Sequence, residues 1–164
     1  MPGGVYEDGS LIWRSRWVTR GGIVECRDAP AFPGETGRLV PLRRIVAREG
    51  PVRGQVVLQP VTGYGREPMR EMRRGASGEW RARLGGLALR WSGAEDARPA
   101  GEGGDGCRFT LELDLAEGQR RDLVLEWGAG PLRTPTVDPG RAWAATERAW
   151  ASAVPGARRH RGGP

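Results

Sequence analysis

The sequence predicts an all-β domain, an antiparallel β-sandwich, followed by one C-terminal helix. Three observations carry that expectation. Apolar and polar residues alternate over short runs, the period of a strand with one buried face. Turn formers punctuate the runs: 27 Gly and 13 Pro make up about a quarter of the 164 residues. Helical spacing surfaces once, after Asp138.

The elements follow in order. Leu11, Trp13 and Trp17 share one face of a first strand, with Arg14 and Arg16 opposite. Thr19-Arg20-Gly21-Gly22 reads as a tight turn and Ile23 to Arg27 as the return, a β-hairpin. Leu39 to Arg48 is the next strand; Pro41 inside it implies an edge position or a late start. Glu49-Gly50-Pro51 breaks the run, and Gln55 to Val61 resumes it. Gly65 to Ser77 has no clear period and reads as a loop. Glu79 to Leu84 and Leu87 to Trp91 alternate on either side of a Gly85-Gly86 hairpin turn. Ser92 to Gly106 is poor in apolar residues and reads as a long mobile loop. Phe109, Leu111, Leu113 and Leu115 share one strand face; Glu117-Gly118-Gln119 then turns the chain and Leu123 to Trp127 returns. Seven to nine short strands of this kind argue for a sandwich.

The helix has its own signals. Asp138 can cap it, Pro139 suits the first helical position, Arg141 to Ala153 continue it, and Pro155-Gly156 stop it. Trp143 and Trp150 are seven apart and share a face. The expected organisation is a sandwich over 1–137, a connector helix over 138–154 and a disordered basic tail over 155–164. No run approaches the roughly 20 apolar residues of a membrane helix. The opening residues lack a signal-peptide pattern, which gives a cytoplasmic expectation.

The net charge of +6 invites a nucleic-acid reading, but its distribution weakens it. All 26 basic residues are Arg, with no Lys and no Asn, a profile of GC-rich coding. Those Arg interleave with Glu and Asp, and only Arg158, Arg159, His160 and Arg161 form a compact basic cluster. Cys26 and Cys107 are too few for a structural zinc site and read as two partly buried thiols.

No chemistry assembles. Gly101, Gly103 and Gly106 match a dinucleotide fingerprint by letter, but a strand follows where a helix is needed. Glu112 and Asp114 lie about 7 Å apart on one strand face, the spacing of an inverting glycosidase pair. Opposite Phe109 and Leu111, however, they read as an ordinary solvated face. The single histidine, His160, removes triads and histidine metal sites. No catalytic set, metal or cofactor is expected. Seven Trp accompany only two Phe and two Tyr. Trp13, Trp17, Trp80, Trp91 and Trp127 read as strand core. Trp143 and Trp150 fit a missing partner domain as well as they fit packing on the sandwich.

An ordered set of motifs carries a resemblance. It begins with Tyr6-Glu7-Asp8-Gly9-Ser10-Leu11, Arg16-Trp17-Val18-Thr19-Arg20-Gly21-Gly22 and Val24-Glu25-Cys26-Arg27-Asp28-Ala29. Leu42-Arg43-Arg44-Ile45-Val46, Val52-Arg53-Gly54-Gln55-Val56 and Gln59-Pro60-Val61-Thr62-Gly63-Tyr64-Gly65-Arg66 follow. This order resembles the trehalase-like N-terminal domain of bacterial glycoside hydrolase family 15 proteins. The helix, with Thr146-Glu147-Arg148-Ala149-Trp150, resembles the connector that leads to the catalytic domain. One departure stands out: Thr62 and Gly63 replace the Phe-Asp that precedes the tyrosine in the family pattern.

The resemblance implies a super-sandwich without a catalytic site of its own, cut short at both ends. Its missing partner is an (α/α)6 barrel whose two carboxylates hydrolyse α-glucosidic bonds. Asp28, Tyr64, Gly65, Arg66, Trp143 and Trp150 become the family-motif or interface candidates. A carbohydrate-binding sandwich that meets α-glucosides through surface Trp is the alternative. Missing early strands would also bare sheet edges, so poor solubility is expected of the chain alone.

Overall fold

The computed structural model describes residues 3–101, 106–132 and 135–154. Among the described residues, fourteen strands precede one helix. They are β1 (Gly3–Tyr6), β2 (Trp13–Val18), β3 (Ile23–Pro30), β4 (Arg38–Leu39), β5 (Pro41–Glu49), β6 (Val52–Leu58) and β7 (Val61–Thr62). Then come β8 (Glu67–Pro68), β9 (Arg70–Arg74), β10 (Trp80–Leu84), β11 (Leu87–Ser92), β12 (Arg98–Ala100), β13 (Arg108–Leu115) and β14 (Arg120–Gly128). Helix α1 spans Pro139–Ala153.

The strands form a large antiparallel sheet in the order β1-β2-β3-β5-β14-β11-β10-β9, with β4 also on β14. A second sheet runs β12-β13-β6, and β7-β8 is a separate ribbon. The main core lies between the two sheets. Val24, Ile45, Trp80, Leu89 and Trp91 come to it from the large sheet, and Phe109, Leu111 and Leu113 from the small one. The expected alternation on β13 produces this directly, with its apolar side chains buried and Glu112 and Asp114 exposed. The chain is thus an all-β, antiparallel, sandwich-like fold with one C-terminal helix.

Part of the outer face of the large sheet, beneath α1, is buried too. Ala29, Leu42 and Val124 are cross-strand neighbours there and cluster with Ile12 and Trp143 of α1. Asp138 caps the helix, its side chain accepting from the Arg141 N–H at 2.7 Å. Pro139 stands in the first turn, where a missing N–H costs no bond.

The β2–β3 hairpin forms where the alternation placed it. Its turn packs against the β5–β6 corner, and this contact requires glycine. A Cβ on Gly22 would lie 1.8 Å from the Glu49 carbonyl oxygen, and Gly50 adopts φ +62. Pro41 is the first residue of β5, which lies centrally between β3 and β14. The late start is therefore the realised alternative, and the ladder loses nothing.

Three expectations need correction. Gly65 to Ser77 is not all loop: β8 and β9 lie within it. β9 closes one end of the large sheet with only Met72 partly buried, so its residues had no apolar period to display. Within Ser92 to Gly106, β12 pairs with β13, and Ala94 and Ala97 are buried. Alanine is too small to mark a buried segment in a Gly- and acid-rich run. Finally, β13 and β14 are not a hairpin. β13 pairs with β6, while β14 pairs with β5 and β11. The Ala116–Gln119 connection crosses between sheets, roughly 10 Å that four residues can span. The tail expected over 155–164 lies outside the described residues, as do Gly103 and His160.

Candidate functional site

The small sheet has three strands and covers only part of the large one. Beyond its edge strand β6, the inner face of β2, β3 and β5 opens into a groove of about 520 Å³. That volume suits a small-ligand site, for which roughly 300–1,000 Å³ is usual. Leu123, Leu125 and Trp91 give it apolar lining, and Val56, Val57 and Leu58 of β6 contribute as well.

Strand register sets the polar chemistry of the groove. Trp13 lies opposite Asp28, and Asp28 opposite Arg43, so the three form one row across β2, β3 and β5. Arg43 Nε donates to Asp28 Oδ1 at 2.6 Å and Nη2 to Oδ2 at 3.2 Å. This paired contact raises the arginine pKa despite opposing burial, so the guanidinium stays charged. Trp13 runs across Gly4 of β1. A Cβ there would lie 2.2 Å from Trp13 Cζ2 and 2.5 Å from Cε2. Tyr6 meets the indole edge-on, with centroids 5.0 Å apart. Trp13 keeps 37% of its surface exposed and Trp17 40%. Both were expected in the core; they stay open because, among the described residues, no strand of the small sheet pairs beyond β6 to cover them.

The other candidates lie elsewhere. Tyr64, Gly65 and Arg66 occupy the exposed tip of the β7–β8 ribbon, with Tyr64 at φ 57 and Gly65 at φ 89. That ribbon neighbours the β10–β11 turn: a Cβ on Gly85 would meet Thr62 Oγ1 at 3.2 Å. Asp28 alone among the six reaches the groove.

Trp143 and Trp150 face inward onto this same chain, so of the two alternatives, a missing domain or packing on the sandwich, the second is realised. Trp143 is fully buried, with the guanidinium carbons of Arg27 and Arg44 each 5.2 Å from its ring. Trp150 stacks on Phe32 at 4.4 Å. The Phe32 N–H donates to Thr146 Oγ1 at 3.1 Å, tying the helix to the β3–β4 connection. The outer sheet face places Ala29, Leu42 and Val124 against Trp143 and two cations beside it.

The buried carboxylates belong to ion pairs. Glu25 accepts from Arg16 and Arg48. Burial alone would raise its pKa, but these two arginines outweigh it and hold the carboxyl below its ordinary value. Glu79 is lowered in the same way, chiefly by Arg81 against the effect of burial. Glu126 accepts from Arg90 and Arg38, and both Glu126 and Arg90 are wholly buried. On the exposed face of β13, Glu112 bonds Gln55 and Asp114 pairs with Arg53, each its direct cross-strand neighbour. Cys26 and Cys107 are free and buried, as expected, and burial pushes the Cys26 thiol up to about 11. Among the described residues, no three His, Cys, Asp or Glu side chains gather as a metal site, and no helix is long and apolar enough to cross a membrane.

Sequence reasoning found Asp28 but missed Arg43, Gly4 and the exposure of Trp13. The only local signal was a glycine two residues before Tyr6; cross-strand register decided the rest. No protein-family model matches the chain, and no curated protein or solved structure matches it either.

Proposed function

We propose that this chain is a non-catalytic accessory β-sandwich of a protein related to glycoside hydrolase family 15. In that role it packs beside a catalytic (α/α)6 barrel and shapes the rim of the barrel's substrate site. The ordered motif set carries the reading: its pieces fall in sequence on β1, β2, β3, β5, β6, the β7–β8 ribbon and α1. The exposed Tyr64-Gly65-Arg66 tip is the motif piece best disposed to meet a neighbouring domain. Arginine pairing of Glu25, Glu79 and Glu126 supports structural roles for the buried acids.

Two assays test this reading. The purified chain releases no glucose from trehalose, maltose or starch oligosaccharides; turnover overturns the proposal. Added to a family 15 barrel expressed without its own N-terminal sandwich, the chain forms a complex that elutes as one species. A folded chain that leaves the barrel unbound counts against it.

A second reading is a carbohydrate-binding sandwich. It is favoured by one observation, the exposed Trp13 beside the Asp28–Arg43 pair in an open groove.

A further inference from the structure

We propose that the groove between Trp13 and the free edge of β6 binds a neutral oligosaccharide, one pyranose ring lying on Trp13 and its hydroxyls meeting Asp28 and Arg43. The inference rests on the carbohydrate-binding reading and gives it a site and a ligand class.

Three features of the groove select that class. The first is the aromatic wall. Trp13 is held across Gly4, where any side chain would displace it, with Tyr6 braced against its edge. A pyranose presents a face of C–H bonds that packs on such a ring, and a rigid, pre-placed indole loses little entropy on binding.

The second is the ion pair. Arg43 uses Nε and Nη2 on Asp28, leaving Nη1 outside that paired contact, and the Asp28 oxygens keep further lone pairs. A sugar hydroxyl is donor and acceptor at once, so adjacent hydroxyls match an adjacent carboxylate and guanidinium. Both groups are reachable, with Asp28 31% and Arg43 49% exposed.

The third is charge. Asp28 and Arg43 are the charged residues lining the groove, and they cancel. An anionic ligand such as a nucleotide finds no net cation there. A wholly apolar ligand would strip water from a charged pair without replacing its hydrogen bonds. A neutral polyhydroxylated ligand does neither. Among the described residues β6 pairs only with β13, so its other edge offers backbone donors and acceptors to the groove that Val56, Val57 and Leu58 line.

The test is calorimetric titration of the full chain with maltotriose and, separately, cellotriose. At least one saturates at millimolar concentration. Trp13→Ala weakens that binding about tenfold or more, the loss of one stacked ring and its braced geometry. Trp17→Ala, equally exposed but outside the groove lining, changes it less than about twofold. Gly4→Ala weakens binding without touching a ligand contact, because it displaces the indole; circular dichroism checks that each variant keeps its fold. Absence of binding by the natural chain overturns the proposal, and so does binding that Trp13→Ala leaves intact. In the latter case the carbohydrate-binding reading survives and only this site falls. A concentration-dependent dimer that Trp13→Ala dissolves also overturns it, since a second copy would then occupy the groove. The barrel-binding assay is independent of every one of these outcomes.

Discussion

Glu126 and Arg90 illustrate the energetics of single residues in this chain. Both are wholly buried, and Arg38 joins them from β4. Removing one charge from such a pair leaves the other in a dry environment without a full counter-charge. Glu126→Gln therefore lowers unfolding free energy by about 3–5 kcal/mol in urea denaturation. Asp114→Asn, in a pair 69% and 83% exposed, shifts it by less than about 0.5 kcal/mol. If the two variants cost the same, burial is not what governs these pairs. Cys26 gives a chemical readout of the same core. Its thiol, raised to about 11, is almost entirely protonated at about pH 8, where a free thiol would be partly ionised. Iodoacetamide leaves Cys26 unmodified in the folded chain and alkylates it in urea, as mass spectrometry reads directly. The sequence read Cys26 as a partly buried thiol on the return strand of the first hairpin. It gave no hint of Glu126, which shares a buried outer face with Arg90 only because β14 and β11 pair in that register.

At the scale of elements, α1 separates what local sequence encodes from what packing supplies. Asp138 and Pro139 marked its start without any partner. Asp138→Ala removes one N-cap bond and costs about 1 kcal/mol. Trp143→Ala removes the fully buried side chain that seats the helix on Ala29, Leu42 and Val124, and costs about 3–5 kcal/mol. Thermal melts followed at the helical band rank the two variants; equal losses would mean that the helix does not depend on its dock. The same division explains β9 and β12. Both are short, pair along one side and bury little, so neither carried a hydrophobic period to read. β13 and β14, by contrast, were both legible as strands. Their assignment to different sheets was not, since a four-residue connection serves a hairpin or a crossing equally well.

At the scale of the molecule, two lowered carboxyl pKa values contribute to the acid limb of stability. Glu25 and Glu79 both fall below their ordinary value on folding. The unfolded chain therefore binds more protons in acid than the folded one does. Their contribution is complete above the unfolded value of about 4.3 and is lost as pH falls through the depressed folded values. Thermal midpoints should stay level from neutrality down to about pH 5 and drop steeply below about pH 4. In Glu25→Gln the midpoint is lower at neutral pH and its acid drop shallower. A natural chain whose midpoint rises toward pH 3 would contradict the pairing described for these groups.

By itself the sequence determined the fold class, the β2–β3 and β10–β11 hairpins, the inward face of β13 and the bounds of the helix. Each depends on the period, caps or turn residues of one contiguous stretch, and those act through local sterics and hydrogen bonds. Only the tertiary structure decided which strands share a sheet, that Trp143 and Trp150 turn inward, and that Trp13, Asp28 and Arg43 stand in one row. Those outcomes depend on register between distant strands and on how far a three-stranded sheet can cover a nine-stranded one. No local period carries that information, because a strand's alternation says which residues face inward but not what lies opposite them.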